Sequence, residues 1–101
     1  MKRERKIFSG RSNPELAKKI ADSADCQLGD ISIKTFSDGE IWVKYEENVR
    51  GQDVFIIQST NGPSENIIEL ALMTDAAVRA SASTVNIIMP YFGYGRQDRK
   101  D

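Results

Sequence analysis

Two rhythms of hydrophobic and polar residues divide this chain. The first apolar run, Lys6-Ile7-Phe8, is short and closed by Ser9-Gly10, which predicts a strand. Asn13-Pro14-Glu15 then reads as a helix start. The Asn13 side chain can accept from free backbone N–H groups, Pro14 suits the first helical position, and Glu15 places negative charge at the positive end of the helix dipole. Leu16, Ala17, Ile20, Ala21 and Ala24 follow at helical spacing and predict one apolar face. From Leu28 to Gln58 the period changes to two. Ile31, Ile33 and Thr35 alternate with Ser32, Lys34 and Phe36, and Ile41, Val43 and Tyr45 alternate with Trp42 and Lys44. The Asp38-Gly39 pair between these runs predicts a hairpin, because Gly39 can take positive φ.

Asn48-Val49-Arg50-Gly51-Gln52-Asp53 predicts a second turn, and Val54-Phe55-Ile56-Ile57 is apolar on both faces, as in a strand covered on each side. Asn61-Gly62-Pro63-Ser64 predicts a loop in which Ser64 caps a helix from about Glu65 to Ala80. Ile67, Leu70, Ala71, Thr74 and Val78 form one stripe of that helix, widened by Ile68, Leu72 and Met73. So broad a face predicts a helix lying between a sheet and something else, another subunit among the candidates. Val85-Asn86-Ile87-Ile88-Met89 is a last strand, ended by Pro90. The order strand, helix, hairpin, strand, helix, strand predicts an α/β sandwich with a mixed sheet, and there is no internal repeat or low-complexity linker.

Composition narrows the chemistry. At 101 residues, 40% hydrophobic and 29% charged, the chain is one domain at most and near the globular average. It contains no histidine, which removes Ser-His and Cys-His catalysis and imidazole metal sites within these residues. A single Cys26 makes neither an internal disulfide nor a zinc site. Fourteen basic against fifteen acidic residues give a net charge of −1, so no global field attracts nucleic acid. The basic start from Met1 to Lys6 precedes no apolar run of signal-peptide length, and no stretch approaches the ~20 apolar residues of a membrane span. A cytoplasmic protein is expected; the basic leader reads as a solvated tail or as an anion anchor.

Three constellations carry candidate chemistry. Ser9-Gly10-Arg11-Ser12-Asn13 precedes a helix and reads either as a well-capped turn or as a phosphate site built from amides and Arg11, without a Walker or dinucleotide fingerprint. Phe36-Ser37-Asp38-Gly39-Glu40 offers an aromatic face for a planar base and carboxylates that can accept from an exocyclic amino group, or is only a hairpin turn. Tyr91-Phe92-Gly93-Tyr94-Gly95 is a glycine-spaced aromatic loop followed by Arg96, Arg99 and Lys100. Arginine forks match phosphate oxygens, so this stretch reads as a polyphosphate-binding loop or as a charged terminus.

Taken in order, Ile7-Phe8-Ser9-Gly10, Phe36-Ser37-Asp38-Gly39-Glu40, Asn48 to Val54, Ile57-Gln58-Ser59, Ala80-Ser81-Ala82-Ser83 and Pro90 to Lys100 resemble the ribose-phosphate pyrophosphokinases, also called phosphoribosyl pyrophosphate synthetases. The similarity runs from about Lys6 to the end, and its last stretch is the most specific. It implies an α/β, phosphoribosyltransferase-like lobe: a mixed, mostly parallel sheet with flanking helices and a β-hairpin. Residues 1–101 would form the N-terminal part of the first of two such lobes, the second lying outside the chain.

The resemblance also implies transfer of the diphosphoryl group of ATP to ribose 5-phosphate, giving phosphoribosyl diphosphate and AMP, with magnesium (Mg2+) required and hexameric homo-oligomers as the family's assembly. Phe36 would stack on adenine, with Asp38, Gly39 and Glu40 at its edge, and that hairpin would serve a neighbouring subunit's site. Arg96 and Gln97 would contact the nucleotide, and Arg99, Lys100 and Asp101 would begin the catalytic loop. Arg50 and Ser81 would border an allosteric phosphate site, where Asn48 departs from members that carry serine. No catalytic residue, metal ligand or ribose 5-phosphate contact is expected before Asp101, so the chain alone is expected to be inactive. A non-catalytic regulatory homologue that assembles with active subunits is the alternative; neither a membrane nor nucleic acid is an expected partner.

Overall fold

A computed structural model describes residues 3–60, 62 and 64–90. In chain order the elements are β1 (Arg5–Ser9), α1 (Pro14–Ser23), β2 (Ile31–Thr35), β3 (Ile41–Tyr45), β4 (Asp53–Ile57), α2 (Glu65–Arg79) and β5 (Thr84–Ile88). β1, β4 and β5 form a parallel sheet in the order β1-β4-β5, while β2 and β3 pair antiparallel in a sheet of their own. Parallel and antiparallel strands are thus both present, in separate layers.

β4 lies at the centre of the parallel sheet, and its apolar run Val54 to Ile57 reflects cover on both faces. Phe8, Val54 and Ile56 face α2, packing with Leu70, Met73 and Ala77. Ile7 and Ile57 face the other way, against Ala17 and Ala21 of α1. The inward set of the hairpin, Ile31, Ile33, Val43 and Tyr45, packs onto the α2 side of the core. Tyr45 closes that contact twice: its ring meets Phe8 edge-on at 4.7 Å, and its hydroxyl donates to the Met73 carbonyl at 2.8 Å. Burial pushes the Tyr45 hydroxyl pKa up. The outward set is solvated, with Lys34 Nζ 5.2 Å from the centre of the Trp42 ring.

Asn13 caps α1 as its sequence predicts, accepting from Leu16 N at 3.1 Å, with Pro14 opening the helix. The expected apolar face overruns the helix by one residue: α1 stops at Ser23, and Ala24 is an exposed cap. The cause is Asp25, which takes φ +56°. Its N–H donates to Asp22 O and the Cys26 N–H to Ala21 O, the paired bonds of a Schellman ending.

α2 departs from expectation in two ways. Ser64 already has helical φ and ψ, so its hydroxyl makes no capping bond, and its carbonyl accepts from Ile67 and Ile68 instead. The face turned to the core is Glu69, Leu70, Met73 and Ala77. Of the predicted stripe only Leu70 is buried; Ile67 and Thr74 are half-buried, Ala71 and Val78 are exposed, and with Ile87 of β5 they line an open apolar groove. In a helix this rich in apolar residues, periodicity does not say which side meets the sheet. No helix among the described residues is long and apolar enough to cross a membrane.

Candidate functional site

Hydrogen bonds place the two ends of the hairpin at opposite edges of the parallel sheet. At the amino edge, Glu47, just past β3, accepts from Lys6 Nζ at 2.9 Å and from the Asp30 N–H at 2.6 Å. The Asp30 N–H, then Lys6, hold the Glu47 carboxyl below the ordinary range. The tip reaches the carboxyl edge, where β1 and β4 end.

The tip is the Phe36–Glu40 loop. Phe36 N donates to Glu40 O at 2.8 Å and Gly39 N to Phe36 O at 2.9 Å, closing a tight loop in which Gly39 takes φ +91°. Asp38 Oδ1 accepts from Glu40 N at 3.0 Å, so one carboxylate oxygen shapes the loop. Phe36 is 48% exposed, and the residues from Lys34 to Glu40 are all exposed. An aromatic face and two carboxylates are therefore offered to solvent from one five-residue turn, an arrangement able to stack on a flat ring and accept from its amino group.

Beneath the tip lies a polar network that periodicity does not reveal. Gln58, directly after β4, is fully buried at 0% exposure. Its Oε1 accepts from Ser12 N at 3.1 Å and Ser12 Oγ at 2.7 Å, and its Nε2 donates to Asn66 O at 3.2 Å and Glu69 Oε2 at 3.0 Å. Glu69, 2% exposed, also accepts from the Arg11 N–H and from Arg11 Nε, both at 2.7 Å. Arg11 Nη2 then donates to Thr35 Oγ1 at 2.8 Å, at the end of β2. Gly10 makes room for this: a Cβ there would lie 2.1 Å from Gln58 Oε1. In the segment from Ser9 to Asn13, Asn13 caps α1 and Arg11 is matched to a carboxylate. One sequence signal points to the network: Glu69 interrupts the apolar run Ile67 to Met73.

The turns that carry Arg50 and Ser81 are joined at the amino edge, away from the tip. Asn48 Oδ1 accepts from Arg50 N at 3.0 Å, Gly51 takes φ +73°, and Gly51 N donates to Ser81 O at 2.9 Å. Ser81 holds φ +66° because α2 ends in a second Schellman motif, Ser81 N to Val78 O and Ala82 N to Ala77 O. Val49, in the same turn, is a buried core residue. Arg96, Gln97, Arg99, Lys100 and Asp101 lie outside the described residues. β5 runs parallel to β4, so Met89 and Pro90 emerge at the carboxyl edge, where the tip also lies. Among the described residues no three carboxylate or thiol side chains come together as a metal site.

Residues 5–101 match the family profile of the N-terminal domain of ribose phosphate pyrophosphokinase. The chain belongs to that family. Ribose-phosphate pyrophosphokinases from Fusobacterium nucleatum and Bacillus subtilis are each 59% identical to it over 96 residues, an alignment covering 94% of this chain and 30% of theirs. The crystal structure of phosphoribosylpyrophosphate synthetase from Mycobacterium smegmatis superposes with a TM-score of 0.90 at 37% identity, over 97% of this chain and 33% of that one. The α/β lobe with its parallel sheet and separate hairpin is thus a pyrophosphokinase N-terminal domain fold. The chain spans about a third of the length of the relatives it matches.

Proposed function

We propose that this chain is the nucleotide-binding part of the first lobe of a ribose-phosphate pyrophosphokinase, an enzyme that moves the diphosphoryl group of ATP onto ribose 5-phosphate and releases AMP. The observation that carries the role of this segment is the Phe36–Glu40 loop: one exposed aromatic ring and two exposed carboxylates on a tight turn at the carboxyl edge of a parallel sheet, where ligands of open α/β folds collect.

In this reading Phe36 stacks on adenine while Asp38 and Glu40 accept from its amino group, with the Gly39 turn holding the carboxylates at the ring's edge. Arg96 and Gln97 contact the nucleotide, and Arg99, Lys100 and Asp101 open the catalytic loop. Diphosphoryl transfer depends on alignment and charge neutralisation more than on a covalent nucleophile, so a segment without histidine can serve it. Magnesium accompanies the phosphates, with its protein ligands beyond Asp101. Arg50 and Ser81, joined through Gly51 at the opposite edge, are the candidate contacts of a regulatory phosphate. Homo-oligomeric assembly, hexameric as in the family, belongs to the same reading, and the apolar groove between α2 and Ile87 supports an apolar partner on that side. The location inferred is cytoplasmic, and the chain alone does not turn over.

The test is AMP formation from ATP and ribose 5-phosphate by the full-length protein carrying this segment. Phe36→Ala should weaken ATP by about 5–150-fold, since base–aromatic stacking is worth ~1–3 kcal/mol. Full activity with unchanged ATP dependence would refute the role of the loop. Absence of AMP formation from the unaltered protein would point to a regulatory homologue.

A further inference from the structure

We propose that Arg11, anchored by Glu69, is the positioning residue of the Phe36–Glu40 loop: it fixes the hairpin tip against the carboxyl edge of the parallel sheet and so sets the place of Phe36, Asp38 and Glu40. This rests on the reading of that loop as an adenine-binding element and adds to it what holds the element still.

The loop has little of its own to hold it. Its side chains are exposed, and the backbone hydrogen bonds that shape it run between its own residues. Such a turn keeps its internal form but can swing as a body about the end of the hairpin. Productive contact with a base requires placement to within about half an ångström, which a solvated turn on a two-stranded ribbon does not supply. Ile41, immediately after Glu40, is buried and anchors one strand at this end, while exposed Thr35, immediately before Phe36, is tied to the rest of the protein through Arg11 Nη2.

Arg11 suits this task because it is not free to follow the loop. Its backbone N–H and its Nε both donate to the Glu69 carboxylate, and a guanidinium is planar, so fixing Nε fixes the direction in which Nη2 points. Glu69 is itself immobilised by burial and by Gln58, which is bonded to Ser12 and Asn66. The chain of contacts thus runs from β4 and α2 through the β1–α1 turn to the hairpin. No buried side-chain nitrogen or oxygen among the described residues lacks a partner, so each buried member of the network is satisfied. A cation already matched by a buried carboxylate is better placed to orient than to neutralise a phosphate.

The experiment is steady-state kinetics of the full-length enzyme carrying this segment, with ATP and ribose 5-phosphate varied separately and thermal midpoints recorded. Thr35→Val removes the acceptor and leaves Glu69, Gln58 and Arg11 in place. It should raise the KM for ATP by about fivefold, leave the KM for ribose 5-phosphate unchanged and leave the melting temperature unchanged. Arg11→Met should raise the ATP KM at least as much, and the double variant should be no worse than Arg11→Met alone. Three results would overturn the proposal: Thr35→Val with wild-type ATP KM, single effects that multiply in the double variant, or KM values for both substrates rising together with a lowered melting temperature. Phe36→Ala is the control. If it too leaves the ATP KM unchanged, the adenine-binding reading has failed; if it raises that KM while Thr35→Val does not, only the positioning role has.

Discussion

The two edges of the parallel sheet each carry an arginine–carboxylate pair, and the two pairs are alike in distance and opposite in surroundings. Arg3 meets Asp53 at 2.6–2.9 Å at the amino edge, with side chains 56% and 21% exposed. Arg11 meets Glu69 at 2.7 Å at the carboxyl edge, where the carboxylate side chain is 3% exposed. An exposed pair is screened by water and salt, whereas a buried carboxylate has no second solvent to turn to once its partners leave. The amino edge is shaped in part by its backbone: an Asn48 turn, a positive φ at Gly51 and a left-handed Ser81. Position is therefore fixed by a deeply buried side-chain network at the carboxyl edge, and at the amino edge by turn geometry together with side-chain bonds of Glu47 and Gln52. The edge with the buried network is the one that holds the Phe36–Glu40 loop.

The sharpest way to break this comparison is to remove Glu69. Glu69→Leu removes the acceptor of the Arg11 N–H and one of the two acceptors of Gln58 Nε2, and should cost about 2–3 kcal/mol. Urea titration measures it, with a lowered midpoint and an unchanged slope expected. A loss below about 1 kcal/mol would put Glu69 in the same class as an exposed pair and erase the difference between the edges.

Why Glu69 is hard to find from sequence explains how far the sequence carries. The hairpin is legible because period two is a local property: the register pairs Ile31 with Tyr45, Ile33 with Val43 and Thr35 with Ile41, the residues that the alternation puts on one face. The central strand is legible for a similar reason, since Val54 to Ile57 has no polar side to show. α2 is not, because Ile67, Ile68, Leu70, Leu72, Met73 and Val78 leave several apolar sides to choose from. Its core face joins Leu70, Met73 and Ala77 to a buried Glu69, which is met by Gln58 and by Arg11, fifty-eight residues earlier. The tip of the candidate site is written in one five-residue turn. Its support joins Arg11, Thr35, Gln58 and Glu69 from four segments, and no local pattern contains such a closure.

A gentler change sharpens the account of the amino edge. Ser81 closes α2 in a conformation that L side chains enter at a cost and glycine enters freely. Ser81→Gly should therefore stabilise the fold by about 1 kcal/mol, read from thermal or urea unfolding. No gain would mean that the serine hydroxyl itself offsets the strain, and that this edge depends on that side chain too.

The smallest effect expected at neutral pH is at the Arg3–Asp53 pair, where pH separates it from the buried one. Hydrogen bonds from Arg3, then from Thr84, hold the Asp53 carboxyl below its ordinary range. A carboxyl with a depressed folded-state pKa adds stability that is fully present above its unfolded value of about 4 and is lost as pH falls through the folded value. Asp53→Asn should thus lower urea midpoints slightly at neutral pH and bring them together with those of the unaltered protein below about pH 4, so that the acid decline is flatter, and about 1 M salt should mask part of that difference. Glu47, held down by the Asp30 N–H and Lys6, contributes to the same decline, so the flattening is partial in Asp53→Asn and deeper when Glu47→Gln is added. An acid decline that neither change alters would mean that the exposed edge contributes nothing through charge, leaving its shape to Gly51, Asn48, Gln52 and Ser81.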